Sequence, residues 1–449
     1  GWVLHTDDLW RHCIHLHTRL AEASEDEKII YLDANNLYGW AMSQKLPYNG
    51  FRWMSQTELL ELKASPKEFF ERLRKEGKMC GVMGDFTVPT AIHKKTWDYP
   101  LMPEKASIPE EDQLSPKQVE LNKNNRTKHN SHQQYLLQTM WDKHHYFVYG
   151  EVLDFYLQQG IEMTHLYCGI VFNVKEWLKP YVDMNTELRN KCKKEGQAIG
   201  TIVYKQAHEQ CHLWEVFLQN VMNQSNLKFV NTLLDAIQIK VQSLPGFVRN
   251  VYHNGNFTIA DVKHEEVKFD KPIYLGATIT ELAKLHMYRF YYNHVVPHWG
   301  RDRVQLLMTD TDSLMLKVKT KDIWADIKAF NREHENWIED EGNPRNGQLG
   351  VFKSETGKDP IISFVGLRAK MYSFVTESDH KEHMKAKGVS KEALSHLHHE
   401  DYVKCLKEGT SNSVRMESIR SYEQQLYTVE LFKKGLSWND MKRWICGDG

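Results

Sequence analysis

Two aspartates separated by one residue, Asp310 and Asp312, are the residues of this 449-residue chain whose spacing most clearly suggests chemistry. They lie between two apolar runs, 304–307 and 314–318, and this pattern predicts a β-hairpin with both carboxylates at its tip. Carboxylates this close repel each other unless a proton or a cation neutralises them, and Mg²⁺ prefers such oxygen ligands. A solvated Asp-rich turn is the simpler interpretation, so a catalytic metal site requires another carboxylate from a distant strand.

Asp33 is a candidate for that carboxylate. It ends a β-branched and aromatic run, 27–33, and the chain then continues into an amphipathic segment, 37–42, with the pattern of a short helix. Two such strands side by side would bring Asp33 and Asp312 to one pair of metal ions. In two-metal sites the ions lie about 3.5–4 Å apart and stabilise the attacking and leaving oxygens of a phosphoryl displacement.

Three segments resemble motifs of family B DNA polymerases and occur in that family's order. Residues 33–38 (Asp-Ala-Asn-Asn-Leu-Tyr) resemble motif A, residues 310–313 (Asp-Thr-Asp-Ser) resemble motif C, and residues 370–372 (Lys-Met-Tyr) resemble the Lys-x-Tyr motif that contacts the primer strand. The resemblance extends roughly over residues 29–444. Further segments resemble the protein-primed branch found in phages, linear plasmids and large self-synthesising DNA transposons: 97–105, 181–187 and 385–389.

The resemblance implies an α+β fold, a right-hand polymerase palm made of an antiparallel sheet with packed helices, together with insertions, small fingers and a thumb. The N-terminal segment is too short for a 3′–5′ exonuclease domain, so we expect no proofreading in this chain. We expect the C-terminal segment to be lysine-rich and mainly helical. The implied division is an N-terminal remnant (1–28), palm with motif A (29–60), an insertion resembling terminal-protein region 1 (61–200, with an exposed segment at 109–134), degenerate fingers (201–230), a hairpin resembling terminal-protein region 2 (231–272), palm with motif C and Lys-x-Tyr (273–375) and thumb (376–449).

The resemblance also assigns roles to the carboxylates. Asp33, Asp310 and Asp312 would be the catalytic residues, with Asp310 as the weaker ligand or a neighbouring charge. Asp33, Asp312 and the backbone carbonyl of Ala34 would hold two Mg²⁺ ions, which Mn²⁺ could replace.

Tyr38 matches the tyrosine of motif A that lies beneath the sugar of the incoming nucleotide. A ring stacked there would exclude a 2′-hydroxyl and select deoxynucleotides, although a tyrosine at this position could equally be a core aromatic. The residues that the resemblance assigns to DNA contacts, mainly with phosphates, are Lys370, Tyr372, Lys385 and Lys387.

Motif B is where the resemblance fails. The family pattern Lys-x-x-x-Asn-Ser-x-Tyr-Gly does not occur, and the corresponding stretch, 204–217, has Ala207 at the lysine position when aligned without gaps. A two-residue insertion would restore Lys205 as the residue that binds the triphosphate. Because a charge-assisted contact to the triphosphate is strong, its loss predicts weak or no polymerisation.

The segment 277–295 carries apolar residues at helical spacing, interleaved with Tyr288, Tyr291 and Tyr292. This pattern predicts a long helix. The tyrosines could form a nucleic-acid platform, but a stripe at this spacing more often packs into a core.

Bulk properties exclude several classes of protein. No run approaches the ~18 consecutive apolar residues of a membrane span, and the N-terminus has no signal-peptide pattern. The seven cysteines include no Cys-x-x-Cys pair, which argues against zinc knuckles and a disulfide framework. We therefore expect no membrane partner and an intracellular location, in the nucleus or mitochondrion if the source is eukaryotic. The net charge of −1 is low for a nucleic-acid-binding protein.

Three functions explain these features to different degrees. The first is a template-directed DNA polymerase that uses a primer–template, deoxynucleoside triphosphates and a terminal priming protein. The second is a catalytically decayed, domesticated remnant that binds DNA. The third, an Asp-x-Asp glycosyltransferase, accounts for Asp310 and Asp312 but leaves Asp33, Tyr38 and the Lys-x-Tyr segment without a role.

Overall fold

The computed structural model describes residues 14–16, 20–107, 119–120, 123, 134–196, 225–231, 243, 247–253, 257–263, 271–422 and 425–438. Lys205, the fingers over 201–224, most of the segment 109–134 and most of residues 1–19 lie outside these described residues.

The strands, in chain order, are β1 (Ile14–Leu16), β2 (Leu20–Glu22), β3 (Glu27–Ala34), β4 (Leu46–Trp53), β5 (Lys78–Thr87), β6 (Glu104–Ser107), β7 (Gln134–Leu137), β8 (Lys143–Tyr149), β9 (Glu162–Lys175), β10 (Ser225–Asn231), β11 (Phe247–His253), β12 (Phe257–Lys263), β13 (Val304–Asp310), β14 (Ser313–Lys319), β15 (Phe352–Ser354), β16 (Ile361–Arg368), β17 (Met371–Thr376), β18 (Glu382–Ala386), β19 (Ser411–Tyr422) and β20 (Gln425–Ser437). The helices are α1 (Leu37–Met42), α2 (Gln56–Ala64), α3 (Pro66–Lys75), α4 (Thr90–Thr96), α5 (Gly150–Gln159), α6 (Lys179–Lys194), α7 (Ile273–Arg289), α8 (Val296–Trp299), α9 (Ile323–Glu333), α10 (Lys391–Leu394) and α11 (His399–Glu408).

An antiparallel sheet forms the centre of the fold. Its order is β1-β13-β14-β3-β16-β17-β18, with β15 paired to β3 and β2 paired to β16. The predicted hairpin is β13–β14 and the predicted upstream strand is β3, and both predictions are confirmed. The predicted α+β class with an antiparallel sheet is also confirmed. β1 and β2 come from the segment predicted to be a separate remnant, yet they pair with β13 and β16 and extend the sheet.

The two faces of the sheet have different neighbours because side chains alternate along each strand. Ile30 and Leu32 of β3 face a large core shared with the helices, whereas Ile29 and Tyr31 belong to a smaller cluster on the opposite face. By the same alternation, Asp33 shares the face of Tyr31 and points away from the helix-covered side.

The long helix predicted over 277–295 is present and extends further. α7 runs into a π-helical turn, Phe290–Val295, and then into α8. The Tyr288 hydroxyl donates to the Pro100 carbonyl at 2.8 Å, and the Tyr292 hydroxyl donates to the Tyr99 carbonyl at 2.5 Å. The tyrosine stripe is therefore a buried part of the core and not a nucleic-acid platform, and its members are Tyr288, Tyr291 and Tyr292.

A second antiparallel sheet, β4-β9-β5-β8, and a short pair, β6–β7, lie in the segment predicted to be an insertion. Phe69, Phe70 and Leu73 of α3, together with Val152 and Phe155 of α5, are buried in the same core cluster as α7. This part of the chain therefore packs directly on the helices that cover the central sheet.

The hairpin predicted within 231–272 is represented by β11 and β12, which pair antiparallel, and β10 pairs with the other edge of β12. Its Asn-Gly tip, 254–256, lies outside the described residues. Within the described part of the chain, no helix is both long and apolar enough to cross a membrane.

The prediction of a mainly helical C-terminal segment is wrong. β19 and β20 form a two-stranded ribbon of 12 and 13 residues, while α10 and α11 have 4 and 10 residues. Arg415 of β19 and Glu430 of β20 form an ion pair at 2.6 Å diagonally across this ribbon, in which Arg415 lies opposite Phe432. A high lysine content does not distinguish helices from strands, because lysine-rich segments occur in exposed strands as well as in helices.

Candidate active site

The turn that joins β13 to β14 carries Asp310 and Asp312. β13 ends at Asp310, β14 begins at Ser313, and these two residues pair across the ladder. The Asp312 N–H donates to the Asp310 carbonyl at 2.7 Å, which keeps the two-residue loop tight. Thr311 has a φ of 60°, a left-handed conformation that β-branched residues rarely adopt. Backbone strain of this kind clusters at functional sites, where the surrounding structure imposes it.

Strand pairing brings Asp33 to this turn from a position far upstream in the chain. In the register of β3 with β14, Asp33 lies opposite Ser313. One residue later, the Ala34 N–H donates to the Asp312 carbonyl at 2.7 Å. Asp33, Asp310 and Asp312 all line the same open cleft. The structure therefore brings the three predicted catalytic carboxylates together.

The chain turns away from the sheet directly after Ala34. Asn36 has a φ of 38° and caps α1, because its side chain accepts the Gly39 N–H at 3.0 Å. Asn35 is held by Glu339, whose carboxylate accepts the Asn35 side-chain amide at 2.6 Å. These contacts fix α1, and with it Tyr38, relative to the end of β3.

Tyr38 lies between the hydrophobic core and the cleft, so its position fits both of its predicted roles. Its partly buried ring packs against the main core, and it also lines the cleft that contains the carboxylates. On its other side it borders a cavity of about 30 Å³, the size of one water molecule, together with Lys284 and Tyr288. This position is compatible with a wall beneath a bound sugar as well as with a packing role.

Burial and mutual repulsion disfavour the charged forms of the three carboxylates. Burial, followed by repulsion from Asp33, raises the pKa of Asp312 to about 7. Burial and then repulsion from Glu355 raise the pKa of Asp33 to about 6. Burial raises the pKa of Asp310 as well, although the nearby ammonium of Lys370 opposes this shift. The cleft thus lacks positive charge at the point where the aspartates meet.

Two residues that lie beside Asp33 were not predicted from the sequence. Lys353 lies opposite Asp33 in the β15–β3 ladder, and its Nζ is 3.6 Å from Asp33 Oδ1. Glu355 follows two residues later and binds Lys353 at 3.1 Å. The local sequence at 351–355, Val-Phe-Lys-Ser-Glu, has no strand-like alternation and gives no sign that it pairs with β3.

The donor set fits a pair of hard divalent cations. Carboxylate oxygens suit Mg²⁺ and Mn²⁺, and a bound cation would stabilise the charged forms that burial disfavours. Among the described residues, Asp33, Asp310 and Asp312 do not form a group whose ligand atoms all lie within 4.8 Å of one another. As placed, the three side chains do not surround one small ion, and a pair of ions about 3.5–4 Å apart stays a prediction. Asp33, Asp312 and the Ala34 carbonyl stay the predicted ligands.

Hydrogen bonds connect the three motif strands beneath the cleft. The Ser313 hydroxyl donates to the Tyr31 hydroxyl at 3.4 Å, and the Tyr31 and Tyr372 hydroxyl oxygens are 3.2 Å apart. Tyr372 is only 4% exposed. Tyr372 still lines the cleft, and its DNA contact stays a prediction.

Lysines line one rim of the cleft, which has a volume of about 1060 Å³. Lys370 occupies the β16–β17 turn with a φ of 56°, and its Nζ is 3.6 Å from Asp310 Oδ1. Lys385 pairs with Tyr372 across β17 and β18, and the Lys387 N–H donates to the Lys370 carbonyl at 3.0 Å. All four predicted DNA-binding residues therefore line the same cleft as the carboxylates. Lys205, the predicted nucleotide-binding lysine, lies outside the described residues.

No family model matches the chain, and no curated protein matches it. Solved structures of Phi29 DNA polymerase are similar to it. The complex with primer–template DNA and incoming nucleotide substrates is 14% identical with a TM-score of 0.54, and the match covers 97% of this chain and 63% of that chain. The complex with single-stranded DNA is 14% identical with a TM-score of 0.53, covering 96% of this chain and 62% of that chain.

At this level of identity the comparison shows the fold: the α+β architecture described above is a polymerase fold. The chain spans between 60% and 63% of the length of the polymerase structures that it matches.

Proposed function

We propose that the chain is a template-directed DNA polymerase that transfers deoxynucleotides to a primer 3′-hydroxyl. The observation that carries this proposal is the convergence of Asp33, Asp310 and Asp312 in one cleft of a polymerase-like sheet. The Phi29 structures with primer–template DNA and with incoming nucleotides, which share this fold, support DNA and nucleotides as partners.

Asp33 and Asp312, with the Ala34 carbonyl, would hold two Mg²⁺ ions. Such ions activate the attacking hydroxyl and neutralise charge on the leaving pyrophosphate. The chain's own residues contribute position and charge. Thr311 and its tight turn fix where the Asp312 carboxylate lies, and Lys370 balances the charge of Asp310 from a distance of 3.6 Å.

The rim lysines give the cleft its proposed DNA-binding character. Lys370, Lys385 and Lys387 would bind phosphates of the primer strand, which sets the register of the duplex without reading its sequence. Tyr372 would meet the primer near its terminus. Tyr38, on the opposite wall, would lie beneath the sugar of the incoming nucleotide and exclude a 2′-hydroxyl.

A protein-primed mode is the finer part of the proposal. The segments resembling that branch, 97–105, 181–187 and 385–389, support it. A terminal priming protein would then be a further partner, and a mobile element or virus would be the corresponding source.

Primer extension tests the proposal directly. With Mg²⁺ or Mn²⁺, Asp312→Asn should reduce the extension rate by about 10³-fold or more, because several kcal/mol of charge stabilisation are lost. Asp302→Asn, an exposed change at the opposite end of the β13–β14 hairpin, is the matched control and should keep the wild-type rate. An extension rate unaffected by Asp312→Asn would rule out the assigned site.

The absence of a motif B pattern favours a second candidate, a decayed remnant that binds DNA without turnover. It predicts no extension by the wild type together with salt-sensitive DNA binding. Lys205→Ala distinguishes a partly working triphosphate site, where it should weaken nucleotide use, from a lost one, where it should change nothing. The polymerase fold gives no support to the glycosyltransferase hypothesis.

A further inference from the structure

Four side chains that the proposed polymerase chemistry does not use lie close together, where the π-helical turn and α8 approach the C-terminal end of α9. His294 lies in the π-helical turn after α7, and His298 lies in α8. Glu333 is the last residue of α9, and His334 is its C-cap. We call these four residues the His298 cluster.

The cluster lies on the helix-covered side of the central sheet. Its neighbours Phe290, Trp299 and Phe330 belong to the large core that also buries Leu32 of β3. The cleft carboxylates lie on the other face, which Tyr31 shares with Asp33. The sheet therefore separates the His298 cluster from the proposed catalytic ions.

Three of the four residues present candidate ligand atoms to one another. The distance from His298 Nδ1 to Glu333 Oε2 is 2.6 Å, and the distance from His334 Nε2 to the same oxygen is 4.0 Å. One ligand atom from each residue lies within 4.8 Å of the other two, and among the described residues no other group of three meets this condition. With metal–ligand bonds of about 2.0–2.2 Å, the ligand atoms of a tetrahedral site are about 3.4 Å apart, so small side-chain rotations would suffice.

An unsatisfied atom points to a missing partner. His334 Nε2 is buried and has no hydrogen-bond partner. On the other side of the ring, His334 Nδ1 is 3.2 Å from His294 Nδ1. If His334 donates its Nδ1–H to His294, a lone pair on Nε2 is directed towards Glu333 and His298. A hydrogen bond of this kind is how proteins orient a metal-binding histidine.

We propose that His298, Glu333 and His334 bind one divalent transition-metal ion of the Zn²⁺ class, with His294 as the residue that orients His334. Imidazole nitrogens with one carboxylate favour Zn²⁺ over Mg²⁺. Side-chain exposure is 10% for His298, 18% for His334 and 60% for Glu333, so a fourth position opens towards solvent on the glutamate side. The ion would tie α8 to the end of α9, which makes it a structural site that does not depend on the proposed polymerase activity.

The test is zinc binding by the whole chain after chelator treatment, with excess Mg²⁺ present to saturate the catalytic carboxylates. When Zn²⁺ is added back, the wild type and Asp312→Asn should each bind one Zn²⁺ per chain. At a zinc concentration 100-fold above Kd, the melting temperature should rise by about 3–5 °C. Co²⁺ bound at the same site should give the visible absorption of a tetrahedral complex.

His298→Gln and Glu333→Gln should each abolish the bound zinc and the thermal shift, while the metal-free melting temperature shows whether they fold. His398→Gln is the matched control, because His398 lies 3.2 Å from Glu382 in a similar pair that does not belong to a group of three close ligands. It should bind zinc as the wild type does. No stoichiometric zinc in the wild type, or equal zinc in folded His298→Gln, would overturn the assignment.

Discussion

Three aspartates in one cleft, with too little positive charge between them, are the central feature at the residue scale. Lys353 and Lys370 each lie 3.6 Å from an aspartate, but Asp312 has no comparable lysine among the described ion pairs. Burial, and then repulsion from Asp33, raises the pKa of Asp312 to about 7. A bound cation would therefore stabilise the charged form of Asp312 at the point where motif A and motif C meet.

This charge balance predicts how pH affects the metal-free protein. The folded-state pKa values of Asp33 and Asp312, about 6 and about 7, exceed the value near 3.9 of an unfolded aspartate. Between about pH 4 and pH 7 these two aspartates bind more protons in the folded state than in the unfolded state, so their contribution to the free energy of unfolding falls as pH rises. Buried histidines such as His286 and His294, whose pKa values are lowered to about 3 and about 4, contribute in the opposite direction. The difference between thermal melts of the wild type and Asp312→Asn in chelator therefore measures the decline due to Asp312.

Asp312→Asn should flatten the decline, since an amide does not titrate in this range. In the wild type, Mn²⁺ affinity should increase over the same pH window, because the ion must displace the extra protons. A stability difference between the wild type and Asp312→Asn that stays constant between about pH 5 and pH 7.5, together with a constant Mn²⁺ affinity, would contradict the described charge balance.

At the scale of elements, the turn after β3 determines whether motif A meets motif C in the right orientation. A methyl group on Gly39 would lie 2.4 Å from Asn36 Nδ2, so Gly39→Ala must displace the side chain that caps α1. Loss of such a cap costs about 1 kcal/mol of stability. Gly39→Ala should lower the free energy of unfolding by about that amount and reduce extension activity.

A second substitution distinguishes this collision from a general effect of alanine. Asn36 has a positive φ of 38°, so glycine is tolerated there and Asn36→Gly should cost only a few tenths of a kcal/mol. It also removes the group that the new methyl would meet. The double variant should therefore be nearly as stable as Asn36→Gly alone, and additive losses in chemical denaturation would argue against the described cap.

The sequence predicted those elements whose signal is local. The hairpin at Asp310, the strand ending at Asp33 and the helix carrying Tyr288 each have their own apolar periodicity, and the structure confirms them. The neighbours of Asp33 were not predictable, because Lys353 reaches it through a three-residue strand that is more than 300 residues away in the chain. The C-terminal ribbon was mistaken for helices because charge content says little about secondary structure.

At the scale of the whole molecule, the net charge of −1 is low for a DNA-binding protein. The charged residues are nevertheless unevenly distributed over the structure. Lys370, Lys385, Lys387 and Lys391 line the same cleft as the three aspartates. A local field of this kind attracts phosphates even when the overall charge is near zero.

The lysine rim predicts a specific salt dependence of DNA binding. Lys385→Ala combined with Lys387→Ala should weaken primer–template binding and reduce the slope of log affinity against log salt by about 1–2, because about one counterion is released per phosphate contact. Lys67→Ala removes an exposed charge on α3, away from the cleft, and should leave the slope unchanged. An unchanged slope in the double variant would place the DNA elsewhere.

Mn²⁺ binding to the purified chain, followed by electron paramagnetic resonance, tests the central claim that Asp33 and Asp312 form one shared two-ion site. Asp33→Asn and Asp312→Asn should each abolish most of the bound Mn²⁺, and the double variant should lose little more, because neither carboxylate holds the ions alone. Asp302→Asn should bind Mn²⁺ as the wild type does. If the two single variants lost Mn²⁺ independently and additively, or if neither lost any, the shared site would be contradicted.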